Sequence, residues 1–188
     1  DIQIVDTRVQ EEYAIEHIPA AVNLPVENTF DVHGNRSRIA SLDKIRRTFG
    51  DLGLKKSSHI VVYDDGQLKD ASHVFWVMET YGHKPVSVLE GGIVAWKNSN
   101  LKLSKSMPSI TQSIYTPNII PRSLSTLLTT RLAIENEHVA IVDSRSKDEY
   151  DGKYSKAKNK GHIPKAINIP RDLNLLPTDG TFKLKTKE

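Results

Sequence analysis

The sequence predicts an α/β protein: an open, mostly parallel sheet flanked by helices, laid down in two tandem copies, the second incomplete. Three observations lead there. Short β-branched runs alternate with amphipathic segments, the pattern of parallel strands joined by crossover helices. The run His59-Ile60-Val61-Val62-Tyr63 breaks into polar Asp64-Asp65-Gly66-Gln67, and Ala71 to Tyr81 follows with Val74, Phe75, Val77 and Met78 as its apolar members. That is strand, tight loop, helix, and ligands of open α/β sheets sit at such strand ends against helix N–H groups. The third observation is a repeat. Ile4-Val5-Asp6-Thr7-Arg8, Glu12-Tyr13 and His17-Ile18-Pro19 through Asn23-Leu24-Pro25 return as Ile141-Val142-Asp143-Ser144-Arg145, Glu149-Tyr150 and His162-Ile163-Pro164 through Asn168-Ile169-Pro170. The aspartates and tyrosines share an offset of 137, the histidines and prolines one of 145, so eight extra residues lie between Tyr150 and His162. Agreement across three blocks makes the repeat the most secure reading.

The elements follow in chain order. Ile2, Ile4 and Val5 place a strand near 2–6, and Glu11-Glu12-Tyr13 a short helix near 10–14. A second strand falls near 20–24 and a helix near 41–49; the strand at 59–63 leads into the helix over 70–81. Val86-Ser87-Val88-Leu89 reads as a strand, and a helix near 92–98 closes the first copy. Residues 99–122 carry Ser, Thr, Lys and isolated Ile without a sustained period and read as a linker stiffened by Pro108, Pro117 and Pro121. Leu124, Leu127, Leu128 and Leu132 then lie at helical spacing, with Ser123 as the expected N-cap. The first copy has no such helix before its opening strand, and a second Asp64-type loop would lie beyond Glu188, so the chain reads as a fragment. The expected organisation is 1–98 for the first domain, 99–122 for the linker and 123–188 for the front half of the second.

Composition narrows the function. A net charge of +3 and an aromatic content of 6% give no basic, aromatic-studded surface for nucleic acid. No apolar run approaches the ~18 residues that span a bilayer and no signal pattern opens the chain, so the default expectation is cytoplasmic, with no membrane partner. The cysteine count is zero, which removes disulfides, thiolate metal sites and cysteine nucleophiles from these residues. Metal-spaced histidines, a phosphate loop and a serine nucleophile elbow are all missing from the sequence.

Asp143-Ser144-Arg145 with Glu149-Tyr150, and Gly161-His162-Ile163-Pro164-Lys165-Ala166-Ile167-Asn168-Ile169-Pro170, resemble the opening motif of the rhodanese family of sulfurtransferases in its tandem two-domain form. Val61-Val62-Tyr63-Asp64 resembles the strand entering that family's active-site loop; Gly82-His83, Val86 to Gly92 and Trp96 resemble its closing strand and glycine turn. The resemblance implies transfer of sulfane sulfur from a small anionic donor, thiosulfate or mercaptopyruvate, to cyanide or a thiol through a cysteine persulfide, with no cofactor and no metal. Loop amides and a helix dipole would hold the thiolate. In tandem members only the second domain carries that cysteine. Asp64 stands at the nucleophile's position in the first copy, where a carboxylate can accept the same amide bonds and cap the helix but form no persulfide. No catalytic residue is therefore expected in this chain, and the alternative is a non-catalytic binding or regulatory module. Two positions depart from the family pattern. Glu149 stands where mercaptopyruvate-type members place an Arg for the substrate carboxylate, and Glu16 replaces the Gly that precedes the motif histidine.

Each remaining candidate has a plain structural reading. Asp6 with Arg8, and Asp143 with Arg145, read as paired groups tying loop to sheet; Arg145 is also a candidate substrate contact. His17 and His162 read as architectural residues at a strand entrance, and Trp76 and Trp96 as core. Asp64 with Asp65 could suggest an aspartyl nucleophile or a magnesium site, but a cap is the better reading. Lys153, Lys156, Lys158 and Lys160 form either a solvated loop or, with Lys156 and Lys158 foremost, a cationic rim that attracts a dianion.

Overall fold

The computed structural model describes residues 1–34, 36–155 and 157–186. Four strands form the main sheet: β1 (Ile2–Asp6), β2 (Val22–Asn23), β5 (His59–Tyr63) and β6 (Val86–Val88), in the order β2-β1-β5-β6 and all parallel. The helices between them are α1 (Gln10–Ile15), α2 (Leu42–Asp51) and α3 (Asp70–Thr80), and α4 (Gly92–Asn98) follows β6. Alternation along the strands sends successive side chains to opposite faces. Val5, Ile60 and Val62 meet Ile45 and Phe49 of α2 and Val74, Val77 and Met78 of α3. Tyr63 points the other way, to Tyr13 of α1, Ile18, Ala21 and Ile93 of α4. Both faces are covered, as parallel sheets require, and β5 is fixed in the middle of the sheet.

An element not anticipated is a hairpin of β3 (Phe30–His33) and β4 (Arg36–Ile39), paired antiparallel between β2 and α2 in sequence. The stretch 99–122 has little regular structure yet is fastened along its length to the first copy. Ser104 exchanges backbone bonds with His17 (2.9 and 2.8 Å), Ser113 N–H donates to Gly50 O (2.9 Å), and Ile120 N–H donates to Thr80 O (2.8 Å). Tyr115 is buried edge-on to Phe49, its ring 5.0 Å away, within hydrogen-bond reach of His83 Nδ1 (2.8 Å). The helix expected from Ser123 begins later, as α5 (Leu127–Glu135). Thr126 is its cap: Thr126 Oγ1 accepts from Thr129 N–H (3.2 Å) and Thr126 N–H donates to Thr129 Oγ1 (2.7 Å). A reciprocal capping box outcompetes the lone serine, and Ser123 lies in a 3₁₀ turn, Pro121–Ser123.

The second copy reuses the first copy's opening. β7 (Val142–Asp143) pairs in parallel with β8 (Ile167–Asn168), as β1 does with β2, and α6 (Lys147–Tyr150) lies between them as α1 does. A 3₁₀ turn at Arg171–Asn174 then leads to β9 (Leu175–Thr178) and β10 (Thr181–Leu184), matching Val26–Thr29, β3 and β4. Two compact units result. The first comprises 1–123 with 177–183, and the second comprises 124–176 with the residues from Leu184 onward. No helix among the described residues is long and apolar enough to cross a membrane.

Candidate functional site

The carboxyl end of β5 opens into the loop from Asp64 to Lys69. Asp64 is buried, and its carboxylate is encircled by that loop. Oδ1 accepts from Gly66 N–H (2.9 Å) and Leu68 N–H (3.3 Å), and Oδ2 accepts from Ala71 N–H (3.2 Å) in the first turn of α3. The ring closes because Gly66 (φ +98°) and Leu68 (φ +57°) adopt left-handed backbone, which glycine accepts freely and leucine only under constraint. Behind the loop, Gly92 lets the turn into α4 press against it; a Cβ there would lie 2.6 Å from Gly66 N and fall on Asp64 O. In front of it, within the same unit, Phe182 N–H donates to Gly66 O (2.9 Å) and Thr181 packs on Gly66 and Gly91. The loop therefore has the form of an anion cradle, and Asp64 is the anion. Both its oxygens are engaged by amides, which leaves the aspartyl-nucleophile and magnesium readings without a free carboxylate. Nearby, burial pushes the Asp70 carboxyl up; Lys69 opposes the rise, while Asp64, Asp65 and Glu27 add to it.

Beneath the loop lies a buried polar ring. Arg8 grips Asp6 through Nε (3.0 and 3.2 Å) and Nη2 (2.6 Å), and Nη2 also donates to Glu16 O (2.8 Å). Tyr63 Oη donates to Asp6 Oδ2 (2.6 Å) and accepts from Ile18 N–H (3.0 Å). Burial first, and the Asp6 charge second, push the Tyr63 phenol far above its ordinary range, so it stays a donor. His17 stacks on Tyr13, with Nδ1 2.9 Å from Tyr13 O and Nε2 3.2 Å from Ser106 O. Asn23 Nδ2 bridges Asp6 O and Arg8 O (3.1 and 2.8 Å).

The second copy rebuilds most of this ring. Arg145 grips Asp143 through Nε (2.9 and 3.1 Å) and Nη2 (2.5 Å), and donates to Gly161 O (2.8 Å). The bond from Arg145 holds the Asp143 carboxyl below the usual range against a smaller opposing effect of burial. Tyr150 and His162 stack at 3.7 Å, and Asn168 Nδ2 spans Asp143 O and Arg145 O (2.9 and 3.0 Å). Gly161 has φ +93° whereas Glu16 is extended (φ −168°). The two turns differ, as the glutamate requires, yet deliver equivalent carbonyls to equivalent arginines. Arg145 is 38% exposed against 8% for Arg8, so the second ring is open on one side. Lys156 lies outside the described residues. Lys158 is exposed on its loop, and Lys153 Nζ is 3.0 Å from Asp148 Oδ1 rather than unattached. Trp76 and Trp96 are half-buried at the core margins, donating to Ser123 O (3.1 Å) and Lys102 O (2.8 Å). Among the described residues no cluster of three metal-ligating side chains occurs. The motifs of the sequence assign no role to Tyr63 or to the two asparagines; for Asn23 and Asn168 the repeated Asn-x-Pro blocks are a signal, whereas Tyr63 has none.

The family model described as "Rhodanese-like domain" matches residues 1–99 and again 128–188. The chain belongs to the rhodanese family. Among curated relatives of this rhodanese chain, the 3-mercaptopyruvate sulfurtransferase of Escherichia coli is 27% identical over 187 residues, covering 90% of the chain and 66% of the relative. The thiosulfate sulfurtransferase of Rattus norvegicus is 30% identical, covering 94% and 61%. The chain thus spans less than two thirds of the length of these relatives. Among solved structures, the 3-mercaptopyruvate sulfotransferase SseA of Escherichia coli superimposes with a TM-score of 0.86 at 27% identity, covering 98% of the chain and 73% of that structure. The 3-mercaptopyruvate sulfurtransferase of Leishmania major shares the fold, with a TM-score of 0.81 at 20% identity.

Proposed function

We propose that this chain is part of a tandem rhodanese sulfurtransferase, with 1–98 a non-catalytic first domain, 99–122 a linker wrapped on it, and 123–188 the opening of the sulfur-carrying second domain. The observation that carries the reading is the Asp64 loop: an amide cradle of the kind that would hold a thiolate or a sulfur oxyanion, filled by the protein's own carboxylate. The reaction needs a cysteine thiolate that these 188 residues do not contain. That thiolate attacks the outer sulfur of thiosulfate, the S–S bond breaks, and sulfite leaves with the electron pair. Cyanide or a thiolate then takes the sulfur from the persulfide and restores the thiolate. Arg145, Lys156 and Lys158 are the cations proposed to draw in the donor. Glu149, whose carboxylate accepts from Ser146 Oγ (3.1 Å), supports thiosulfate over mercaptopyruvate, because it would repel the substrate carboxylate.

The test uses the full-length protein. It is expected to convert thiosulfate and cyanide to thiocyanate and sulfite, while the 188-residue chain gives none. A full-length protein that turns over neither thiosulfate nor mercaptopyruvate overturns the enzyme reading in favour of a binding module.

A further inference from the structure

We propose that the first unit carries a second site, apart from its Asp64 loop, that binds a small acidic amino acid: one ammonium group and two carboxylates. The site is a cavity of about 350 Å³ lined by Glu79, Gly82, Lys84, Ile120, Arg122 and Ser123, all within the first unit. It lies past the far end of α3 from the Asp64 loop, 11 residues or about 16 Å along the helix. Its walls are fixed by backbone groups. Ile120 N–H donates to Thr80 O (2.8 Å), Ser123 N–H donates to Ile120 O (3.0 Å), and Ser123 O accepts from Trp76 Nε1 (3.1 Å). Gly82 (φ +69°) keeps the floor open. A Cβ there would lie 2.7 Å from Asn118 O, 3.5 Å from Ile120 Cδ1 and 3.6 Å from Lys56 Nζ.

Charge selects the occupant. Lys84 and Arg122 are exposed and Glu79 is half-buried. Among the described residues, no ion pair or side-chain hydrogen bond holds any of the three. Two cations and a carboxylate thus line one small volume without neutralising one another. Glu79 also stands in the last turn of α3, which has no basic residue. A carboxylate there meets the negative end of the helix dipole, where an ammonium group is favoured. Under the floor, Lys56 Nζ donates to Tyr81 O (2.8 Å), and burial pulls its pKa down; an anion above it relieves that cost. The complement is a ligand with its ammonium on Glu79, a carboxylate each on Lys84 and Arg122, and its methylenes along Ile120. A plain dicarboxylate leaves Glu79 unmatched, and an amino acid with a neutral side chain leaves one cation unmatched. The volume is at the small end of ligand pockets, which favours a free amino acid over a longer chain.

The test titrates L-glutamate, glutarate and L-glutamine into the 188-residue chain at low ionic strength, read by amide NMR shifts. Saturable shifts with millimolar glutamate are expected at 79–84 and 120–123. Glutarate and glutamine should each bind about fivefold more weakly, the upper end of what one exposed ion pair is worth. Glu79→Gln should abolish the preference for glutamate over glutarate and keep that over glutamine. Arg122→Gln should weaken glutamate about fivefold and reduce its margin over glutamine. Both substitutions are at surface positions, and unchanged shifts elsewhere in the spectrum verify the fold. No shift in the two stretches with millimolar glutamate overturns the proposal. Equal binding of glutarate and glutamate to the unaltered chain overturns it too, as do the same shifts with sulfate, which mark only loose positive charge. None of these outcomes depends on whether the full-length protein transfers sulfur.

Discussion

Asp64 does for its loop what a bound anion would do, and the consequences are those of removing a permanent ligand. Asp64→Ala leaves the amides of Gly66, Leu68 and Ala71 without their acceptor. At about 1–3 kcal/mol for each unsatisfied buried donor, less what entering water returns, the first unit should lose about 3 kcal/mol, measured by urea unfolding. Asp64→Asn keeps one acceptor oxygen and should lose less. An unchanged urea midpoint for the alanine variant would mean that the amides are not held by the carboxylate. Tyr63 is the second decisive residue, because its hydroxyl touches β1 through Asp6 and the following turn through Ile18. Tyr63→Phe keeps the packing against Tyr13 and Ile93 and removes both bonds, so a loss of about 2 kcal/mol is expected. A loss below about 0.5 kcal/mol, the size of an ordinary surface change, would show the ring to be decoration.

At the scale of elements, the 99–122 segment is held by a junction that responds to pH. His83 lies between Tyr115 Oη on Nδ1 (2.8 Å) and Ser58 O on Nε2 (3.0 Å). A carbonyl only accepts, so Nε2 carries the proton and Nδ1 accepts from the tyrosine. Burial holds the His83 pKa below its ordinary value; the Ser58 bond opposes this, and Lys56 and His59 add to it. The unfolded chain binds the proton near pH 6.5 and the folded one only at lower pH, so stability is full above that value and falls as the solution is acidified through and below it. His73 is shifted the same way by burial. Urea midpoints at pH 7.5 and 5.5 should therefore differ, and His83→Gln should remove part of the difference; identical slopes in the two proteins would refute the assignment. The same segment marks the limit of what the sequence disclosed. Strand–helix alternation and the repeat were legible because they are periodic, and β1, β5 and α4 fall on the expected residues. The hairpin at 30–39 went unread because Asp31, Ser37 and Arg38 dilute its apolar pattern, although a Gly34-Asn35 pair between two short runs is a hairpin signal. Tyr115 gave no warning either, since an isolated aromatic in a polar stretch becomes core only through partners 32 and 66 residues back in the chain, His83 and Phe49.

Across the whole molecule, the two units should differ in how firmly their shared motif is held. In the first, β1 is flanked on both sides and its ring is sealed by Tyr63; Val5, Ile60 and Val62 are inaccessible. In the second, Val142, Ile163 and Ile167 remain 53%, 43% and 56% exposed, and Leu127, Leu128 and Leu132 of α5 stay open as well. Hydrogen bonds with matching partners thus sit on unlike amounts of buried apolar surface, the term that dominates folding free energy. Amide exchange separates the two contributions, because local opening reports the stability of each unit. Ile167 N–H donates to Ile141 O and Ile169 N–H to Asp143 O, while in the first unit Leu24 N–H donates to Asp6 O and Thr7 N–H to Tyr63 O, all within 2.8–3.0 Å. If backbone bonds alone set protection, the two sets would exchange alike. If burial sets it, the second-unit amides should exchange at least about a hundredfold faster, a gap of roughly 3 kcal/mol, and equal protection factors would show that the Asp–Arg–Asn clamp holds its strands without a core above them.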